Sequence, residues 1–462
     1  MRNISYTVII LMLNVIFTHS IKGQGLELRG NINTSSLVST EERVPFWLWA
    51  NQLGQIPHTD DFIQSGEINV IPKYIFRNGN KIFAGAHLYG YTGSSEELDF
   101  SELYAGVKLG KISGWAGFRA DSLLQSGLSS SNGNLLNSRN ARPYPRISAG
   151  TDGFIRVGKG HFYIASRWEE GFLPDERIID KPRLHHKNLF LQWGRAEKFQ
   201  FTFGIGHYAF WGGVSAESGP QPVSFSDYIR TIFAIKGGER ATYSDQINAA
   251  GNSLGQYFFI FRKNWENVEA EARIIHPFED KAGMLMCNTP DNLYSLYFTF
   301  RGKMLVQHVL MEFIYTENQG HNDRFDGVSL YFNHNFYNSG FTYFGRVIGV
   351  PFFSPVITNE DGIVTIIAND RIKAFHFGSD GNLAGNLKWK LLLSYSLNYG
   401  TYLSEYDNVR KQFSGLAGFE YTLPKIPVFL RTSIALDQGV NLNYGEERFD
   451  GGVRLTIGGY LN

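Results

Sequence analysis

Residues 187–213, with the sequence KNLFLQWGRAEKFQFTFGIGHYAFWGG, carry the pattern that decides the fold. In 199–206, large apolar side chains occupy every second position, and small or polar side chains occupy the positions between them. An extended strand points alternate side chains to opposite faces, so this run predicts a strand with one apolar face. The run 188–193 alternates in the same way, and only residues 194–197 separate the two runs. The pair is therefore predicted to form a β-hairpin with a tight turn.

The hairpin continues into an aromatic, glycine-rich stretch at 207–213. A tight turn at one end of a strand pair and a long loop at the other is typical of transmembrane β-barrels. The same unit recurs along the chain, most clearly at Trp389–Tyr399, where apolar side chains hold every odd position. Such a run does not fit the 3.6-residue period of a helix.

From Gly66 onward we find nineteen candidate strands, which include the runs 112–120, 327–337 and 340–349. Short and long connections alternate almost without exception after Gly110. The predicted fold is therefore all-β, a transmembrane antiparallel up-and-down β-barrel of about 18 strands. With both termini on the periplasmic side the strand number must be even. Either one candidate is false or a strand before Gly66 is missing.

The bulk composition agrees with a barrel and excludes several other classes. Aromatic residues make up 15% of the 462 residues and there are 50 glycines, yet the mean hydropathy is only −0.20. Barrel strands explain this combination because only one face of each is apolar. The formal net charge of +0 gives no reason to expect nucleic acid as a partner. The single cysteine, Cys287, excludes an intramolecular disulfide framework and a cysteine-based zinc site.

The beginning of the chain reads as a signal for export. Arg2 precedes the apolar run 7–17, and the polar run 19–23 ends on a small residue. The apolar run is too short to cross a bilayer as a helix, which takes about 20 residues. We expect residues 1–23 to be a cleaved signal peptide. A lipid anchor is excluded because no cysteine lies near the expected cleavage site.

Residues 24–65 alternate poorly and include the aromatic block 45–54, PFWLWANQLG. We expect 24–65 to form a short periplasmic N-terminal segment, packed on or into the barrel mouth. The barrel itself is then expected to span 66–462.

The sequence contains no nucleotide-binding loop, HExxH motif or GxSxG motif. We therefore predict no catalytic site, no cofactor and no metal centre, and the chain is not expected to be an enzyme. His185 and His186 lie in a basic stretch. They are interpreted either as an anion or metal contact or as part of a solvated, charged rim.

Aromatic and charged side chains are concentrated in the predicted long loops. Rings stack on sugar faces, and arginines and carboxylates bind hydroxyls and uronates. The candidate polysaccharide-binding residues are Arg142, Tyr144, Arg146, Trp168, Arg183, His207, Tyr208, Trp211, Tyr228 and Arg230. The alternative is that these loops fold inward and plug the lumen, and both can hold. On the binding hypothesis, alanine at Trp211 or Tyr144 weakens polysaccharide retention and leaves barrel assembly intact.

In layout the chain resembles the Wzi-type capsule-assembly proteins, in the form carried by Bacteroides-like bacteria. The resemblance rests on the export signal, the block 45–54, the aromatic stretch 207–213 and the closing barrel strands. It implies an eighteen-stranded outer-membrane barrel with a plugged lumen, a periplasmic helical element and a lectin-like role. The segment before the barrel is shorter than a helical bundle requires, and the chain ends on Asn462 instead of an aromatic residue.

The sequence thus predicts a barrel in the outer membrane of a Gram-negative bacterium that attaches or organises exported capsular polysaccharide. The expected partners are capsular or surface polysaccharide, outer-membrane lipid and a polysaccharide export channel. The main alternative is a passive or sugar-selective porin, which needs an open polar lumen.

Overall fold

The computed structural model of the chain describes residues 25–238, 250–302, 304–320, 329–443 and 445–461. The expected signal peptide, residues 1–23, lies outside the described residues. Within the described ranges, no helix has the length and apolar character required to cross a bilayer.

The described chain folds into one large closed antiparallel sheet, with each barrel strand paired to its neighbours in sequence. The strands are β1 (Leu26–Ser39), β2 (Phe62–Ile75), β3 (Lys81–Thr92), β4 (Glu96–Leu109), β5 (Ile112–Phe118), β6 (Arg146–Thr151 with Ile155–Val157), β7 (Phe162–Phe172), β8 (Arg183–Arg195), β9 (Phe199–Trp211), β10 (Asn252–Asn264), β11 (Val268–Phe278), β12 (Asn292–Phe300), β13 (His308–Tyr315), β14 (Ile372–Ala384), β15 (Leu387–Gly400), β16 (Glu405–Thr422), β17 (Val428–Val440) and β18 (Glu447–Leu461).

The sheet closes where β1 pairs with β18, from Gly30 opposite Leu461 to Ser39 opposite Gly452. The two segments of β6 both pair with β7, so they form one interrupted strand. The barrel therefore has eighteen strands, as the sequence predicts.

The connections define two ends of the barrel. At the short-turn end, which also holds Leu26 and Leu461, strands are joined by tight turns such as 110–111 and 385–386. At the opposite, long-loop end, most connections are much longer, and the longest runs from 316 to 371. This asymmetry is the one typical of outer-membrane barrels.

The prediction that 24–65 form a separate periplasmic segment is wrong. Leu26–Ser39 is barrel strand β1, and residues 40–61 join it to β2 at the long-loop end. The apolar period of β1 is interrupted by Thr34 and Ser36. Their hydroxyls donate to the carbonyl of Ser65, at 3.0 Å, and to Oε1 of Gln64, at 2.6 Å, across the β1–β2 pair. Hydrogen bonds to a neighbouring strand replace apolar contact here, so the alternation rule misses the strand.

The predicted strands 327–337 and 340–349 are also wrong as barrel strands. The described part of this stretch lies inside the lumen, where Phe332 and Phe341 are fully buried. Only Thr342–Tyr343 and Arg346–Val347 pair there, as a two-residue ladder. The aromatic residues in this stretch reflect burial inside the barrel instead of contact with lipid.

The remaining elements are small and belong to the loops. The helices are α1 (Phe46–Trp49), α2 (Phe225–Ile232) and α3 (Lys281–Met284), with a 3₁₀ turn at Gln125–Gly127. Short ladders join Ile179–Asp180 to Val214–Ser215, Val214–Ser215 to Gly219–Pro220, and Val356–Thr358 to Val364–Ile367.

Three long-loop segments fold into the lumen and form its core. We call residues 40–61, 119–145 and 329–371 the plug. Their aromatic side chains pack on one another, with the rings of Phe46 and Phe352 stacked at a centroid distance of 5.0 Å. The indole N–H of Trp47 donates to the hydroxyl of Ser394 on the barrel wall, at 3.2 Å. The plug therefore fills the lumen at the long-loop end. Toward the short-turn end, a cavity of about 490 Å³ lies between the plug and wall residues that include Lys390, Arg431 and Arg454.

Candidate functional site

The residues that the sequence singles out for polysaccharide binding divide between two faces of the barrel wall. Tyr144, Arg146 and Tyr208 lie inside the lumen and are buried. Trp168, Arg183, His207 and Trp211 lie on the outward side of β7, β8 and β9, on the same side as the lipid-facing Leu189 and Phe199. The structure does not bring the ten residues together into one site.

The inner group forms a compact ionic and aromatic cluster. The guanidinium of Arg146 lies 3.5 Å from the Glu169 carboxylate and 4.8 Å from the centroid of the Tyr144 ring. Glu169 also pairs with Nδ1 of His186 at 2.8 Å, and the His186 ring stacks on Tyr208 at 4.0 Å. The cluster fixes the plug segment 119–145 to the wall, and its rings present no free face to a ligand.

Arg142 has a similar anchoring position. Its guanidinium pairs with the carboxylates of Glu97 and Asp99 on β4, the latter at 3.1 Å. It also lies 4.4 Å over the ring of Phe344. These contacts join two plug segments to the wall.

The outer group lies beneath helix α2. Gly212 and Gly213, with φ of +63° and +86°, turn the chain after β9, and the loop then carries α2 across the outward wall. The Trp168 indole N–H donates to the Tyr228 hydroxyl at 3.0 Å. The Arg183 guanidinium covers the ring of Trp211 at 4.7 Å. Trp211 is consequently only 6% exposed.

Arg230 and the adjacent histidines His185 and His186 all have partners within the protein. Arg230 donates to the carbonyl of Lys236 at 2.7 Å and steadies the end of α2. His185 points outward to Glu170, with 2.6 Å between Nδ1 and Oε1, whereas His186 points into the lumen to Glu169. Both histidines are buried and paired with carboxylates, so neither belongs to a solvated rim.

A different group of residues surrounds a cavity at the long-loop end, within the plug. The cavity has a volume of about 220 Å³, several times the roughly 30 Å³ that one water occupies. Its lining comes from both the plug and the loop before β18. The polar and aromatic lining residues are Trp49, His58, Thr59, Asn140, Arg346, Ser354 and Asn443.

Arg346 is the charged group of this cavity. Its guanidinium lies 4.7 Å over the ring of Trp49, donates to the carbonyl of Ile56 at 2.5 Å and contacts Nε2 of His58. Burial lowers the pKa of Arg346 to about 9, and the nearby Arg142 acts in the same direction. Burial, followed by the charge of Arg346, holds the pKa of His58 well below its usual range.

No carboxylate among the described residues lies within ion-pair distance of Arg346, although its side chain is only 8% exposed. A buried cation is ordinarily paired, because removing a charge from water is costly. The side-chain carbonyl of Asn140 is also buried and accepts no hydrogen bond from the described residues. The cavity is therefore suited to an anionic group that also offers hydroxyl donors.

Sequence reasoning missed this cavity for identifiable reasons. Arg346 lies inside a predicted barrel strand, and Trp49 lies in a segment predicted at the opposite end. The stretch 340–349 itself carries no signal against a strand, because aromatic and β-branched residues are favoured in strands. Pro351 and Pro355 lie beyond it.

Comparisons with known proteins find the same fold. No protein-family model and no curated protein sequence matches the chain. Among solved structures, it is similar to Wzi, an outer-membrane protein of group 1 capsule assembly in Escherichia coli that is described as a carbohydrate-binding β-barrel. The TM-score is 0.57 at 12% identity, over 92% of this chain and 83% of that one.

Two further similar structures are OccAB2 of Acinetobacter baumannii and OccK5 of Pseudomonas aeruginosa. Their TM-scores are 0.48 and 0.47, at 9% and 10% identity. They cover 95% and 94% of this chain, and 99% and 98% of their own. At 12% identity the likeness to Wzi establishes the barrel fold alone.

Proposed function

We propose that this protein is a non-enzymatic outer-membrane barrel that binds an acidic surface polysaccharide at its long-loop end and helps to hold it at the cell surface. The observation that carries the proposal is Arg346, a buried guanidinium with no described carboxylate partner, in a cavity that opens among the long loops. The carbohydrate-binding description of Wzi, which has the same fold, supports the same conclusion.

The chemistry of the cavity suits a uronate. Arginine offers a planar pair of N–H donors that matches a carboxylate, and such charge-assisted hydrogen bonds are about twice as strong as neutral ones. Trp49 provides an aromatic wall, while Asn140 and Asn443 provide amides for hydroxyl groups. One such contact is weak, but a repeating polymer that spans many barrels on one cell gains affinity through effective concentration.

The plug favours binding over transport. A porin requires a continuous polar path, whereas buried aromatic residues of the plug, among them Phe46, Phe332 and Phe352, occupy the lumen at its long-loop end. Conductance in a planar bilayer separates the two functions. We expect the wild-type protein to be closed, and stable stepwise conductance without a denaturant contradicts the proposal and favours a porin.

Binding is tested on the purified protein in detergent with polygalacturonate as the acidic polymer and dextran as the neutral one. The wild type is expected to bind polygalacturonate and not dextran, and Arg346→Gln is expected to lose at least about tenfold in affinity, which is the loss of one charge-assisted contact. Lys159→Gln, which removes an exposed cation at the short-turn end, is the matched control. Heat-modifiable migration on a gel verifies that each variant forms a barrel. Equal binding by the folded Arg346→Gln variant contradicts the assignment of this cavity.

The cellular role is tested by deletion of the gene. If the protein attaches polysaccharide, total polymer stays constant and the cell-bound fraction moves into the medium. Complementation with the wild type restores attachment, and complementation with Arg346→Gln does not. If attachment is unchanged and uptake of a solute is reduced, the binding proposal is contradicted and a porin function is favoured.

A further inference from the structure

The outward face of β15 serves as a reference for depth in the membrane. It presents only apolar or aromatic side chains from Trp389, the third residue from the short-turn end, to Tyr399. A tilted strand needs about 9–11 residues to cross the hydrocarbon region. The run 389–399 therefore marks the height of the lipid-facing belt.

On β8 the same count gives a different result. Trp193 is the third residue from the short-turn end, and the outward positions above it are Leu191, Leu189, Lys187 and His185. Lys187 and His185 correspond to steps at which β15 carries Tyr395 and Leu397. Polar side chains on the lipid face of a barrel are costly at this depth.

Neighbouring strands extend this polar patch. His207 on β9 lies opposite Lys187, and Glu170 on β7 lies opposite His185. Charged and hydrogen-bonding groups thus occupy the outward wall at the upper part of the belt. Something other than lipid must satisfy them.

Helix α2 covers the patch. The Tyr228 hydroxyl hydrogen-bonds to Glu170, and the Lys187 ammonium donates to the carbonyl of Ile232 at the end of the helix. The same segment also exposes apolar side chains. Phe225 is 77% exposed and Phe233 64% exposed, and Val223 and Ile235 are also exposed. Polar contacts to the wall together with exposed apolar side chains are what a helix at a membrane interface requires.

A groove of about 860 Å³ opens between α2 and the outward wall of β6 and β7. Ile147, Phe172, Val223 and Phe225 supply apolar surface, and Lys181 and Arg183 supply positive charge toward the long-loop end. Arg183 has no carboxylate within ion-pair distance among the described residues. Lys181 pairs with Asp180 at 3.6 Å, but both of these side chains are largely exposed. Among the described residues, the one carboxylate that lines the groove is Glu170, and it is bound to His185 and Tyr228.

We propose that this groove is a binding site for a phosphate-bearing lipid of the leaflet at the long-loop end. The phosphate binds Arg183 and Lys181, and an acyl chain lies along Ile147, Phe172 and Phe225. Helix α2 forms the side of the site and lies in the same interface. The assignment follows from the depth of the groove in the belt and from the order of its charged and apolar parts. It is independent of the polysaccharide proposal, because Arg346 lies within the lumen plug.

The site is tested by native mass spectrometry of the full barrel in detergent, with three ligands added separately. Phosphatidylglycerol carries both a phosphate and acyl chains, diacylglycerol carries only the chains, and inorganic phosphate carries only the anion. We expect phosphatidylglycerol alone to remain bound. The double substitution Arg183→Gln with Lys181→Gln should reduce the retained fraction at least about fivefold, since two charge-assisted contacts are removed.

The control removes two exposed lysines at the short-turn end, Lys111→Gln with Lys159→Gln, and is expected to retain phosphatidylglycerol like the wild type. Phe225→Asp is a second test that leaves the barrel wall untouched, and it should lower retention by adding a negative charge and removing an apolar wall. Equal retention of diacylglycerol reduces the groove to an apolar surface, and equal retention of inorganic phosphate reduces it to a small-anion site. Either result overturns the proposal, as does unchanged retention in the double variant.

Discussion

The carboxylate of Glu312 accepts hydrogen bonds from both the backbone N–H and the hydroxyl of Ser130, at 2.8 and 2.6 Å. Glu312 lies on the inward face of β13, and Ser130 lies in the plug. The hydroxyls of Ser129 and Ser131 bind the same carboxylate, at 2.6 and 3.2 Å. One buried carboxylate of the wall thereby accepts hydrogen bonds from three consecutive residues of the plug, 129–131. These bonds explain how a loop without long helices or strands is held in place.

Glu312→Ala is expected to loosen the plug without preventing barrel formation. The substitution leaves three buried serine hydroxyls without their acceptor, at a cost of about 1–3 kcal/mol for each fully unsatisfied group. Faster hydrogen exchange of amides 125–136 measures the effect. Glu266→Ala, at an exposed turn position, is the control and should change stability by less than about 0.5 kcal/mol. Unchanged exchange in the Glu312 variant contradicts the anchoring role.

Tyr144→Ala is expected to reduce folding yield. The Tyr144 ring is 2% exposed and lies against the Arg146 guanidinium, so its removal leaves a cavity beside a buried ion pair. Truncation of a buried aromatic side chain costs about 3–5 kcal/mol. This differs from the expectation from sequence, in which Tyr144 binds polymer and assembly is unaffected. Trp168→Ala, at a side chain 39% exposed, is the comparison, and its heat-modifiable migration should stay normal.

The stability of the plug is expected to fall from about pH 4 to about pH 7. Burial raises the pKa of Asp370 to about 7 and that of Asp291 to about 6, against about 3.9 in an unfolded chain. Because the folded-state values are the higher ones, the contribution to stability is complete below the unfolded value. It is lost as the pH rises through the folded values.

Asp370→Asn removes one of these titrations and should flatten the dependence of the melting temperature on pH. Asp361→Asn changes an exposed carboxylate of the same loop and should leave the slope unchanged. Parallel curves for the wild type and Asp370→Asn rule out Asp370 as a source of the effect.

Residue patterns predict the barrel well because lipid contact imposes one strict rule on every outward position. Trp389–Tyr399 obeys it fully, and the strand predicted there is confirmed. Strand β1 obeys it poorly because Thr34 and Ser36 bind the adjacent strand, and the plug imitates it because buried rings also alternate. The site is less predictable for a related reason. Sequence shows that Arg346 and Trp49 exist. It cannot show that two distant loops meet inside a lumen and bury a cation that has no carboxylate partner among the described residues.

Binding of polygalacturonate is expected to weaken as the pH rises above about 9. Burial lowers the pKa of Arg346 to about 9, whereas an ordinary arginine remains charged beyond about pH 12. The guanidinium is therefore charged at neutral pH, where it can pair with a uronate, and it loses its charge in alkaline solution. A bound carboxylate favours the charged form, so the midpoint of the loss should lie at or above the value for the free protein.

Binding isotherms between pH 7 and about pH 10.5 measure this loss of affinity, and heat-modifiable migration verifies that the barrel persists. Arg346→Gln should give weak binding that does not vary over this range. If the wild type binds equally at both limits while it remains folded, Arg346 is not the group that holds the polymer.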